Sequence, residues 1–154
     1  MPDAVRGPDG TGFLLFCQVP VEYAVIEVGL GGTLDSTNVI TPEVSVITNV
    51  TFEHADKLGG TISSIAENKA GIIKEGVPVV TAAADEPLAI IRKRAEEKNA
   101  DIFVAGEDFA SRFLSCDGRT QTLEFTSELL ASSKSRMSSI CWDVIRWRTA
   151  RWRS

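Results

Sequence analysis

An apolar run, Tyr23-Ala-Val-Ile26, leads straight into a carboxylate, Glu27, and then into three glycines within four positions, Gly29-Leu-Gly-Gly32. No other stretch constrains the chain as much. The apolar run predicts a buried strand over Tyr23–Val28, and the clustered glycines predict a tight turn with exposed backbone. Glu27 then stands at the carboxyl end of a strand, the edge at which ligands sit in open α/β sheets.

The next segments extend that pattern. Val44–Val50 is short and rich in β-branched residues, with Thr41-Pro42 before it, and reads as a second strand. Thr61 to Lys74 reads as a helix with Thr61 as N-cap and Ile62, Ile65, Ala66, Lys69, Ala70 and Ile73 on one face. Gly76 and Pro78 close it. Val77–Ala82 is a third strand, Glu86–Asn99 a second helix with Leu88, Ile91 and Ala95 inward, and Ile102–Val104 a fourth strand. Strands alternating with helices at this spacing predict an α/β fold, a mostly parallel sheet with flanking helices. Arg119–Phe125 is expected to add one further strand in antiparallel company.

Length and composition bound the function. A chain of 154 residues, 44% hydrophobic and 24% charged, has the balance of an ordinary globular protein. Its net charge of −5 argues against general binding to nucleic acid or membrane surfaces. No apolar run approaches the roughly 20 residues of a spanning helix, and the first residues lack the features of a signal peptide. Cys17, Cys116 and Cys141 are scattered without a CxxC pair, which suits a reducing cytoplasm better than a disulfide or zinc framework. The charge is uneven. Residues 132–154 hold six Lys/Arg against one acid, Asp143, so this tail carries +5 and the rest −10. Trp142, Trp147 and Trp152 all fall there at a spacing of five, which matches neither helix nor strand. The expected organisation is an irregular segment over 1–22, a partial α/β domain over 23–131, and a basic segment over 132–154 outside that domain. The other reading of the tail is a basic aromatic arm.

The candidate chemistry lies at the carboxyl ends of the strands. Glu27 ends the first; the second runs on through Asn49 to Phe52-Glu-His-Ala-Asp56, which holds the only histidine. Neighbouring parallel strands would bring Glu27 and His54 together, and a carboxylate with an imidazole suits a divalent cation. Lys69 sits within the apolar stripe of its helix. It must snorkel, pair with an anion or lose its charge. A neutral amine there could take up carbon dioxide as a carbamate, turning a cation into a metal ligand. The glycine turn is no GxGxxG fingerprint, and no GxxxxGK(S/T) phosphate loop occurs in the chain. Asp35 and Asn38 read as residues that order the turn by side-chain to backbone bonds.

Three ordered motifs carry a resemblance: Glu27-Val-Gly-Leu-Gly-Gly with Leu34-Asp-Ser-Thr-Asn38; Ile47-Thr-Asn with Glu53-His54 and Leu58-Gly59; and Ile65-Ala with Lys69-Ala-Gly-Ile-Ile-Lys74. Over about Tyr23 to Phe109 the chain resembles the central ATPase domain of the folylpolyglutamate synthase and dihydrofolate synthase family, within the Mur ligase superfamily. The resemblance implies an ATP-dependent ligase: ATP phosphorylates a folate glutamyl carboxylate, and the amine of glutamate attacks the acyl phosphate. It implies Mg2+ and ATP as cofactors, with Glu27, His54 and carbamylated Lys69 as metal ligands, Lys69 also catalytic, and Asn49 at the nucleotide pocket. Folate and glutamate would be the substrates, with no nucleic acid or membrane partner.

The chain also departs from that family. Thr33 stands where Arg is usual, Glu53 where Asp is usual, Gly60 where Asp is common and Asn68 where Glu is common. The family's phosphate loop has no counterpart in the 26 residues before Glu27, and its C-terminal α/β domain is unmatched. The resemblance thus implies a fragment that is inactive alone, with a complementary polypeptide as a partner. A Mur-type peptide ligase fragment and a non-catalytic binding module are the alternatives.

Overall fold

The computed structural model describes residues 21–117 and 120–127, together with the backbone of 135–140. The chain divides into two compact units, residues 1–103 and 104–154.

The first unit is built on β1 (Ser45–Ile47), β2 (Val79–Thr81) and β3 (Ile102–Val104), in the spatial order β1-β2-β3. β1 runs parallel to β2, with Ser45 opposite Val79 and Ile47 opposite Thr81. The crossovers are α1 (Ile62–Ala70) and α2 (Asp85–Glu97), which pack on each other. Their inward positions are small or β-branched, so helices and sheet approach closely around Ile47, Ala70, Ile73, Val79, Ala83, Ile91 and Ala95. α1 opens on a capping box: the Thr61 hydroxyl accepts from the Ser64 amide, and the Ser64 hydroxyl bonds back to the Thr61 amide. α2 has no side-chain cap but begins with Asp85 and Glu86, which favour the positive end of the helix dipole. The α/β fold expected from the alternation is the fold observed.

Two expectations fail here. Tyr23–Val28 is not a strand: Tyr23 is 88% and Val25 95% exposed, while Ile26 and Val28 are half-buried. An apolar run supplies the capacity for burial, but a strand also needs backbone partners, and no strand among the described residues pairs with it. The first helix also ends earlier than its periodicity suggests. It stops at Ala70, after which Ile72 and Ile73 donate to Lys69 and Ala70 in tighter i−3 turns. Ile73 stays in the core by that turn rather than by helix.

The second unit contains an antiparallel sheet of β4 (Phe109–Cys116), β5 (Thr120–Ser127) and β6 (Ser135–Ile140), in the order β4-β5-β6. Arg112 faces Glu124 across β4 and β5 and bonds it at 3.0 Å, and the rings of Phe109 and Phe125 stack 5.7 Å apart. β5 is the antiparallel strand expected over Arg119–Phe125, although Arg119 itself lies outside the described residues. β6 lies in the basic 132–154 segment and pairs with β5 from Thr120 to Phe125. A composition break marks a change of charge, whereas pairing follows the backbone. Cys17, Cys141 and the three tryptophans lie outside the described residues.

Candidate functional site

Three short segments meet in the first unit: the glycine loop, the turn that holds His54, and the end of α1. Between them is a cleft of about 200 Å³, lined by the backbone of Val28–Gly31 and by Glu53, His54, Leu58 and Lys69.

The loop is held from inside by one carboxylate. Asp35 Oδ2 accepts from the amides of Gly29 (3.1 Å) and Leu30 (3.0 Å), and its Oδ1 accepts from the amide and hydroxyl of Thr37. Asp35 is also the side-chain cap of a 3-10 turn, Ser36–Val39. Burial pushes its carboxyl upward. The hydrogen bonds from the Thr37 hydroxyl and the three amides outweigh it, and the pKa lies below the usual carboxylate value.

The loop is held from outside by the end of α1. A helix leaves its last carbonyls without intrahelical donors. The Thr33 amide and hydroxyl both donate to Asn68 O, at 3.0 and 3.1 Å. Asn38 Nδ2 donates to Gly71 O at 3.2 Å and to Thr33 O at 3.1 Å, and Lys74 Nζ donates to Asn38 O at 2.8 Å. Gly71 is required by this approach, since a Cβ there would collide with Thr33 Oγ1 and stand 2.8 Å from Thr33 Cα. On its other side the loop meets buried Leu58. Gly31, at φ +71, leaves only 2.9 Å between its missing Cβ and a Leu58 methyl. Leu58 belongs to the His54 turn, its amide donating to His54 O at 3.1 Å.

His54 and Lys69 therefore line one cleft with the glycine loop. His54 is exposed and holds φ +52, a left-handed conformation uncommon outside glycine. Lys69 is half-buried in the last turn of α1, where the dipole favours a cation, and it lines the cleft. Glu27 is exposed and is not part of the lining, although its neighbour Val28 is. Asn49 is exposed just beyond β1, its amide oxygen 3.5 Å from the Thr48 hydroxyl. Among the described residues no three His, Cys, Asp or Glu side chains gather in a way that could hold a metal ion. The sequence motifs include Leu58 but give no sign that it supports Gly31, nor of the Thr33–Asn68 bond. The glycine at position 71 was the available signal, because a glycine at a helix end often marks a close backbone approach.

A family model described as the Mur ligase middle domain matches residues 11–142. The chain belongs to that family. Its sequence is 61% identical over 70 residues to a folylpolyglutamate synthase of Lacticaseibacillus casei, covering 46% of this chain and 16% of that protein. It is 49% identical over 90 residues to a dihydrofolate synthase/folylpolyglutamate synthase of Bacillus subtilis, covering 57% and 21%. Among solved structures it is similar to a folylpolyglutamate synthase–AMPPCP–folate complex, with a TM-score of 0.72 and 38% identity over 81% of this chain and 31% of that one. This member of the Mur ligase middle domain family thus spans about a fifth of the length of those curated relatives. No helix among the described residues is long and apolar enough to cross a membrane.

Proposed function

We propose that this chain forms part of an ATP-dependent ligase that joins glutamate to a folate carboxylate through an acyl phosphate. The observation that carries the reading is the cleft in which His54, Lys69 and the glycine loop converge within a Mur ligase middle domain. The similarity to a folylpolyglutamate synthase solved with AMPPCP and folate supports ATP and a folate as the substrate classes.

The donor set of the cleft fits a hard divalent cation on one condition. His54 offers an imidazole nitrogen and Glu53 a carboxylate, but a protonated Lys69 would repel the ion. A carbamate on Lys69 removes that repulsion and adds oxygen donors. Glu27, exposed one residue before the lining, would hold a second ion. Bound magnesium would neutralise the charge that builds on the transferred phosphoryl group. The chain's own part is to orient: His54 and Lys69 fix the cation side of the cleft, and Asn49 borders the nucleotide. The site of action would be the cytoplasm. The 154 residues contain no phosphate-loop sequence, and the grip on the β- and γ-phosphates would come from outside them, a complementary polypeptide being one source.

The test is carbon-13 NMR of the protein in labelled bicarbonate with increasing magnesium. A carbamate resonance that strengthens with magnesium, disappears in Lys69→Ala and loses its magnesium response in His54→Ala is expected. No such resonance in the wild-type chain at any magnesium concentration would overturn the assignment of Lys69 and His54.

A further inference from the structure

The ties between the glycine loop and the end of α1 do more than close a helix. The Asn68 carbonyl, immediately before Lys69, accepts from the Thr33 amide, the Thr33 hydroxyl and the Gly71 amide. The Gly71 carbonyl, two residues after Lys69, accepts from Asn38 Nδ2. Lys69 is thus flanked on both sides by carbonyls that the loop claims. The same loop contributes its Gly29–Gly31 backbone to the cleft that Lys69 lines, and its Gly31 rests on Leu58 of the His54 turn. A displacement of the loop would therefore change the wall that faces the lysine.

We propose that Thr33 and Asn38 are positioning residues, which hold the Gly29–Gly31 backbone against the Lys69 amine and so set that amine's access to solvent and to ligand. Neither side chain lines the cleft; both act through the carbonyls beside Lys69. The Thr33 hydroxyl is the adjustable part of the tie, because the amide bond to Asn68 O survives any substitution except proline. The inference rests on the reading of Lys69 as the working amine of the cleft.

The experiment is site-resolved acylation of the intact chain by an amine-reactive ester, read by mass spectrometry, with exposed Lys93 on α2 as the internal reference. Thr33→Val keeps the shape and removes the hydroxyl donor, and Asn38→Ala removes the second tie. Each is expected to raise the rate at Lys69 relative to Lys93 by about fivefold, the weight of one net hydrogen bond, while Thr33→Ser restores the wild-type rate. A role limited to stability would lower the melting temperature without this selective change at Lys69. If Thr33→Val does not fold, Asn38→Ala decides. Unchanged Lys69 reactivity in the folded variants, or equal rates in Thr33→Ser and Thr33→Val, overturns the proposal. The labelling needs neither ATP, magnesium nor carbon dioxide. Failure of the Lys69 and His54 assignment made under the ligase reading therefore shows in the carbamate measurement alone, and failure of the positioning role shows here alone.

Discussion

At the scale of single residues, Gly71 and Asp35 decide how the loop sits. Gly71 has an ordinary helical conformation, with φ −63. On propensity alone, alanine there would gain up to about 1 kcal/mol. Its Cβ would instead collide with the Thr33 hydroxyl and stand 2.8 Å from the Thr33 backbone, and overpacking of that kind costs about 1–3 kcal/mol. The clash outweighs the propensity, so Gly71→Ala should lower the urea midpoint of unfolding. Gly76 makes the control: it has φ +66 but open space around its missing Cβ, so alanine there costs only backbone strain. Asp35 ties stability to pH. Its folded pKa lies below the ordinary value of 3.8, so the unfolded chain binds more protons in the window between the two. The contribution is complete above that ordinary value and is lost as pH falls through the folded one. Urea unfolding between about pH 5 and pH 2 should show this loss in the wild type. In Asp35→Asn, which carries no titrating group at that position, the acid limb should be shallower.

At the scale of elements, α1 is short and depends on its ends. Nine residues are too few to be stable in isolation, so capping and core packing must hold it. Thr61→Ala should cost about 1 kcal/mol, and Ser64→Ala should cost less when Thr61 is already gone. The two hydroxyls satisfy the same box reciprocally, so a double-mutant cycle by chemical denaturation should reveal the coupling. Packing against the sheet contributes more than capping does. Ile91 of α2 is fully buried in the cluster with Ile47, Val79 and Ile73, and Ile91→Ala should cost about 2–5 kcal/mol. In the antiparallel sheet, by contrast, Arg112 is 72% exposed, and its ion pair with Glu124 is screened by water. The stacked rings of Phe109 and Phe125 are the stronger cross-strand contact there.

At the scale of the whole molecule, several large apolar side chains among the described residues are exposed outside the cleft. Val21, Tyr23 and Val25 are all exposed in a segment without strand partners among the described residues, and Val44 and Val46 are exposed at β1, whose one neighbour among the described strands is β2. Unpaired edges and apolar segments of this kind template association. The 154-residue chain should therefore self-associate with rising concentration in light scattering, and Val25→Lys should reduce that association without lowering the melting temperature.

The strength of local signals decides what could be read in advance. α2 and β3 were legible because each is dictated within its own window: apolar positions Ile91 and Ala95 at helical spacing, and three apolar residues before Gly106. The Asp35 turn was legible for the same reason, since its bonds reach no more than six residues. His54 and Lys69 stood out by residue type and by the family motifs around them. The strand expected over Tyr23–Val28 failed because pairing requires a neighbour that no local window contains. The end of α1 was misplaced because Thr33 arrives from 35 residues away to claim the Asn68 carbonyl. The amino-acid sequence by itself thus determined the α/β class, the glycine turn and the family. The tertiary structure alone decided that the loop, the His54 turn and the end of α1 enclose one cleft, because hydrogen bonds between distant segments, not local propensity, set that meeting.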